Sequence, residues 1–439
     1  MNAPTTSGTA APLSASLNAR LSAMMFLQYA IWGAWLPFLW SFLAGHRGMT
    51  GAQIGNMFAA GAVGAIVGPF LAGQIADRWF STERFLGISH LVGAVLVWKL
   101  ATIETYNGFL IVSAIYGFVY APTLSLTNSL AFHHLPDRDR DFGRVRLWGT
   151  LGWIAVGLAM GQWLAYGHSP DGLSGDALKA AQVAGKADAF RLSALLGVAM
   201  GIYCFTLPNT PPTKGAQSNA TFEAIGEIKR SPLWQLFLLA VPLSCIHQFY
   251  FVHTEEFLGV RQLAAPAWST SLFGVGGGGL MTVGQMSEVL VIALIPLLAK
   301  RFSRKRLLAI GLLAYAARMA LFAYVDSIPL PTMTTLLLGI ALHGVCFGFF
   351  IFVAFMIVDE ETTSDVRASA QNLFNLVIIG IGVIVGSKIA GSLSELAKVD
   401  GEINYRTLFS FPMYAALIVL AILAIIYPGG RREARAEIA

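Results

Sequence analysis

Apolar residues in this chain gather into long, nearly unbroken runs, where a water-soluble fold would show alternating or 3.6-residue stripes. Each run is long enough to cross a bilayer, which takes about 20 residues. They fall roughly at 20 to 43, 54 to 76, 84 to 104, 107 to 132, 145 to 166 and 190 to 207. A polar stretch from Pro208 to Pro232 follows, and six more runs lie at 233 to 256, 273 to 299, 307 to 325, 332 to 358, 368 to 394 and 407 to 427. The pattern predicts an all-α membrane protein with twelve transmembrane helices in two six-helix halves. Its expected divisions are a disordered tail (1–19), an N-terminal half (20–207), a linker (208–232), a C-terminal half (233–427) and a short tail (428–439). Met1 to Asn18 is rich in Ala, Ser, Thr and Pro and has no basic n-region, so it reads as a tail and not a signal peptide.

Composition agrees with this: 56% of the 439 residues are hydrophobic and only 12% charged. The net charge of +5 is concentrated in alternate loops, which reports topology, not nucleic-acid binding. Arg138, Arg140, Arg144 and Arg146 fall on one side with Lys300, Arg301, Arg304, Lys305 and Arg306, and that side holds 19 of the 29 Lys and Arg against eight on the other. Positive residues mark the inner face, so both termini are expected in the cytoplasm. Cys204, Cys245 and Cys346 all sit inside apolar runs and suggest neither a disulfide framework nor a metal site.

Polar residues inside the runs are the candidates for function. Glu288 interrupts LMTVGQMSEVLVIALIPLLAK (Leu280 to Lys300). If Phe273 to Ala299 is one helix, Glu288 lies about 22 Å from one end and about 17 Å from the other. A charge near the bilayer centre is costly, so such groups usually face a cavity and mark a substrate or proton route. Gln285, three residues earlier, shares its face. The alternative is a structural pair with the intramembrane Arg318. Arg146, Thr150 and Trp153 form a stripe at steps of four and three, offering a fork of donors, a hydroxyl and an indole; without a ligand, Arg146 would be a positive-inside anchor and Trp153 would face lipid. Gln248, deep in CIHQFYFVHTEEF, can present both a donor and an acceptor. His90, His247, His253 and His343 could carry protons but are more often satisfied by neighbouring helices.

Other patterns carry little. Gly276 to Gly279 follows no strand and lacks the Gly-Lys-Ser/Thr of a phosphate loop, so it suits close helix packing. HHLPDRD (His133 to Asp139) lies in a charged loop, and no metal or cofactor is expected. No nucleophile elbow, zinc-protease helix or Walker sequence appears, which argues against an enzyme or a primary pump.

Between the second and third runs, GQIADRWFSTER (Gly73 to Arg84) resembles the Gly-x-x-x-Asp-Arg turn of the major facilitator superfamily, and AKRFSRKR (Ala299 to Arg306) keeps its basic part at the equivalent place in the second half. Longer blocks are more specific. FLQYAIWGAWLP (Phe26 to Pro37), YAPTLSLTNSLAF (Tyr120 to Phe132), RLWGTLGW (Arg146 to Trp153), QMSEVLVIALIP (Gln285 to Pro296), RMALFAYVD (Arg318 to Asp326) and RASAQNLF (Arg367 to Phe374) resemble the nucleoside:proton symporter family of that superfamily. The resemblance spans both halves. It implies a multi-pass protein of the bacterial inner membrane that imports nucleosides with protons by alternating access, with substrate at the midplane between the halves.

Carried over by motif, the substrate positions are Arg146, Thr150, Gln248, Gln285, Glu288 and Phe347; Trp153 stands where the family has a Phe, and Glu288 is the expected proton-coupling residue. Phe251 stands in place of an Asn, and Gly348 in place of an Asp. The residue types suit a flat base on a neutral sugar: aromatic faces from Trp153 and Phe347, amides from Gln248 and Gln285, and an acceptor from Glu288. The expected partners are nucleoside, protons and the lipid bilayer, with no nucleic acid, and the chain is expected to be a monomer. A transporter of another neutral hydroxylated solute, such as an oligosaccharide, and a non-transporting membrane sensor are the competing readings.

Overall fold

The structure, a computed structural model, describes residues 12–78, 81–211, 220–363 and 366–429. The first half contains α1 (Ala15–Trp35), α2 (Leu39–Gly45), α3 (Gly51–Arg78), α4 (Thr82–Leu100), α5 (Tyr106–His134), α6 (Arg138–Gly167), α7 (Gly175–Gly185) and α8 (Ala187–Cys204). Two features differ from the sequence expectation. α1 starts inside the expected tail, where the Ser14 hydroxyl caps it by accepting from the Leu17 amide at 3.3 Å. The first apolar run is also two helices, because Pro37 falls in the turn between α1 and α2 and cannot continue the ladder. The Met1–Ala11 part of the tail, linker residues 212–219 and residues 430–439 lie outside the described residues, as do the Asp77 side chain and residues 79–80 of the expected Asp-Arg turn.

The linker carries α9 (Ala220–Ile228). The second half contains α10 (Leu233–Gln262), α11 (Ala267–Phe273), α12 (Gly278–Arg301) and α13 (Arg304–Ala323). α14 (Thr332–Cys346) then passes through a π-helical turn (Phe347–Phe352) into α15 (Val353–Glu361). α16 (Arg367–Asn375) likewise passes through a π-helical turn (Leu376–Ile381) into α17 (Gly382–Leu396). A small hairpin of β1 (Lys398–Val399) and β2 (Glu402–Ile403) precedes α18 (Tyr405–Ile426). Among the described residues, eight helical stretches are long and apolar enough to cross a membrane. The other four runs fold as α1, α3, α4 and α6, with 21, 28, 19 and 30 residues. Outward-facing Val95, Leu195, Leu290 and Ile425 remain exposed, as a lipid-facing surface requires.

The eighth run is not the single helix the sequence suggests. Gly274, Gly276 and Gly277 have φ of 69°, 82° and 84°, a region that side chains disfavour, and they separate α11 from α12. Glu288 is therefore about 15 Å from the start of its helix and about 20 Å from the end, still well inside the span. The break also brings the backbones of the two halves together, with the Val275 amide donating to the Gly161 carbonyl at 3.0 Å.

That contact belongs to a seal between the halves at the end of the bundle that carries α2 and α7. Lys186 and Glu255 form an ion pair at 2.8 Å, with side chains only 4% and 0% exposed. Lys186 Nζ also donates to Ser41 Oγ at 2.8 Å, and that hydroxyl is bonded to the other Glu255 oxygen. Beside it the Trp40 indole donates to Glu256 at 2.7 Å, Gln162 donates to the Ser271 carbonyl at 2.9 Å, and the Gly51 amide donates to Glu395 at 2.6 Å. Lower down, the halves meet where α6 packs on α12 and α3 on α17.

Candidate substrate cavity

Between the halves lies a cavity of about 410 Å³, a size typical of small-molecule sites. Its walls come from both halves: Tyr29 and Trp32 on α1, Tyr116 and Tyr120 on α5, Thr150 and Trp153 on α6, His247, Gln248 and Phe251 on α10, Gln285 and Glu288 on α12, His343 on α14, Phe347 in the π turn and Asn375 on α16. The lining is mostly apolar and rich in aromatic rings, and the rings brace one another. Trp153 meets Trp32 edge-on with centroids 5.5 Å apart and Phe251 at 6.3 Å, while His247 lies 5.2 Å from Phe251 and 6.1 Å from Phe347. Close approach of α6 to α1 makes this possible. A Cβ at Gly149 would stand 2.6 Å from the Tyr29 ring, and one at Gly152 would stand 2.2 Å from the Phe26 carbonyl oxygen.

Of the seven residues singled out from sequence, six line this cavity: Thr150, Trp153, Gln248, Gln285, Glu288 and Phe347. Arg146 does not. Its guanidinium lies over the Tyr29 ring at 3.9 Å, a cation–π contact one turn from Thr150, so it stands behind a wall residue. Gln248 Nε2 donates to Ser387 at 3.0 Å, which leaves its carbonyl oxygen without a protein partner. Gln285 is 5% exposed, and its Oε1 is buried with no hydrogen-bond partner among the described residues. Buried polar atoms are almost always satisfied, so this wall residue carries an acceptor still to be paired.

A Gly where the family has an Asp is expected to widen the pocket at that point, and the geometry does not bear this out. Consecutive helical residues point about 100° apart; Phe347 faces the cavity, and a Cβ at Gly348 would stand 2.7 Å from Val291 Cγ1 on α12. The missing side chain therefore lets the π turn approach α12 and does not widen the cavity. Phe251, in contrast, is a wall residue.

Arg318 does not pair directly with Glu288. Its Nη1 reaches His343 Nδ1 at 3.0 Å, and His343 Nε2 stands 3.6 Å from Glu288 Oε2, so the imidazole bridges the two. His247 also lines the cavity and bonds the Tyr315 hydroxyl through Nδ1 at 2.8 Å. The other two histidines are structural. His90 bonds Gln28 at 2.9 Å within a buried cluster that includes Thr123 and Thr127, and His253 bonds the Ala390 carbonyl at 3.1 Å.

The family model described as "Nucleoside H+ symporter" matches residues 15–430. The chain belongs to the nucleoside:proton symporter family. Its relatives include YegT of Escherichia coli (strain K12), 33% identical over 437 residues that cover 96% of this chain and 95% of that one. Nucleoside permease NupG of the same organism is 29% identical over 426 residues, covering 93% and 96%. A crystal structure of the nucleoside transporter NupG superposes with a TM-score of 0.80 at 26% identity, covering 94% of this chain and all of that one. This symporter is thus a multi-pass membrane transporter with the major facilitator fold, and it is not an enzyme.

Sequence reasoning missed Tyr29, Trp32, Tyr116 and Tyr120 as wall residues of this symporter, although Tyr29 and Trp32 share a helix face inside a block already singled out. An aromatic residue in an apolar run gives no signal of which face it takes.

Proposed function

We propose that this symporter binds one nucleoside in the aromatic cavity and carries it with a proton bound at Glu288, the two halves rocking about the site. Supporting this most directly is the lining of one cavity by Gln285 and Glu288 together with the rings of Trp153 and Phe347. Trp153 and Phe347 supply the ring faces, Gln248 and Gln285 the amides that read polar edges, Thr150 a hydroxyl, and Glu288 an acceptor for a sugar hydroxyl or a proton. Arg146 acts from behind Tyr29.

The chain functions as a monomer in the bacterial inner membrane, with both termini in the cytoplasm. The Arg-rich loops support that orientation. The end sealed by Lys186 and Glu255 is then the outer end, and the structure is in an inward-facing form. Competition of nucleosides, nucleobases and sugars against labelled uridine uptake tests the substrate class. Nucleosides alone should compete, and equal competition by a free sugar would refute the reading.

Gln248→Ala and Phe347→Ala should each weaken nucleoside binding by about 5- to 150-fold, the equivalent of about 1–3 kcal/mol for a lost buried hydrogen bond or stacking face. Calorimetric titration of the purified variants checks this. Unchanged affinity in both would remove them from the site.

A further inference from the structure

The bridge between Arg318 and Glu288 has a chemistry fixed by its partners. Arginine is always charged, donates from every nitrogen and has no acceptor. His343 Nδ1, 3.0 Å from Arg318 Nη1, must therefore be the unprotonated nitrogen, which leaves the single imidazole proton on Nε2. Nε2 is the nitrogen that stands 3.6 Å from Glu288 Oε2. The ring has little freedom to turn. It is stacked between Tyr250, with centroids 5.0 Å apart, and His247 at 5.6 Å, and both interplanar angles are 24°. Arg318 is itself held, fully buried, over the Tyr250 and Tyr315 rings at 4.1 and 5.0 Å. It makes no ion pair with a carboxylate among the described residues, and its Nε and Nη2 have no partner. The remaining titratable or charged groups around the pair are His247 and Tyr250 on α10, Tyr315 on α13, Cys346 on α14 and Arg146 on α6.

We propose that His343, locked by Arg318 as a neutral imidazole with its proton on Nε2, is a positioning residue that directs this donor at Glu288 and favours the ionised carboxylate. It carries no proton through the cycle. The donor and the buried guanidinium behind it make it easier for Glu288 to release its proton once the cavity faces the side of lower proton concentration. This rests on Glu288 being the coupling carboxylate.

The test is the pH dependence of proton-driven nucleoside uptake in vesicles, with thermal stability measured on the same preparations. His343→Gln keeps an acceptor for Arg318 and a donor for Glu288 but cannot titrate, so it should leave the pH midpoint within a few tenths of a unit of the parent. His343→Leu removes both and should move the midpoint by up to about one unit to higher pH, as expected when a carboxylate loses the donor that faces it. Because Leu leaves Arg318 unpartnered and can cost stability, the double variant Arg318→Leu/His343→Leu, which leaves no orphan cation, should show an upward shift at least as large. A folded Leu variant or double variant with the parent's midpoint overturns the proposal. Loss of coupling in His343→Gln at normal stability overturns it too, since the imidazole would then be a proton carrier. Glu288→Gln separates the two readings: if that variant still accumulates substrate with normal pH dependence, the assignment of Glu288 fails, whereas if it loses coupling and only the His343 results disagree, this inference alone fails.

Discussion

Glu288→Gln should keep the fold and nucleoside binding and abolish accumulation against a gradient. Gln is nearly isosteric, and it removes a half-buried charge that, among the described residues, forms no ion pair with Lys or Arg and has His343 at 3.6 Å. What disappears is the ability to be charged in one half-cycle and neutral in the other. Counterflow exchange, which needs no net proton movement, should persist at near-parental rates. Proteoliposomes with an imposed pH gradient check both results. Normal accumulation by the variant would move the coupling role elsewhere. Asp141 is a poor substitute, gripped by Arg140 through two bonds of 2.7 and 2.8 Å. Glu255 is already committed to Lys186.

Lys186→Met should have the largest effect on stability and on conformation. It leaves Glu255, fully buried, with Ser41 as its remaining polar support and no positive partner. Removing one member of such a pair typically costs about 3–5 kcal/mol, because the other charge is stranded. The chain can relieve this by letting water reach Glu255, which means opening the sealed end. The population open at that end should rise by about two to three powers of ten, and thermal stability should fall. Labelling of a cysteine introduced at Val183, on the wall of the cleft at that end, reads the first effect. Replacing both residues with Met should restore most of the stability. An unchanged labelling rate in Lys186→Met would show that the pair does not hold the halves together.

The spans were legible because a bilayer leaves no choice: each must be a long apolar helix whose backbone satisfies itself. Their interruptions were not. The π turns at Phe347 and Leu376 break no residue-level rule, and the helix break at Gly274 depends on an approach to Gly161 that belongs to another helix. Within the site, Gln285 and Glu288 stood out because polar groups in an apolar run are expensive. His343 and Arg318 could be noticed singly, but their meaning lies in a contact between α14 and α13 that no spacing along the chain encodes. Gly348 misled for a related reason. A position adjacent in sequence to a wall residue lies a quarter-turn away in space, and Val291 occupies that direction.

The buried pair at the sealed end also governs how that end opens. Lys186 and Glu255 attract strongly where water is absent, and each is well solvated where water is present. A gap of a few ångströms, too narrow to admit water, offers neither condition, so a slightly parted end lies higher in energy than either the shut or the flooded one. Opening is therefore all-or-none. A transporter whose sealed end cannot idle half-open has no lasting continuous water path through that end.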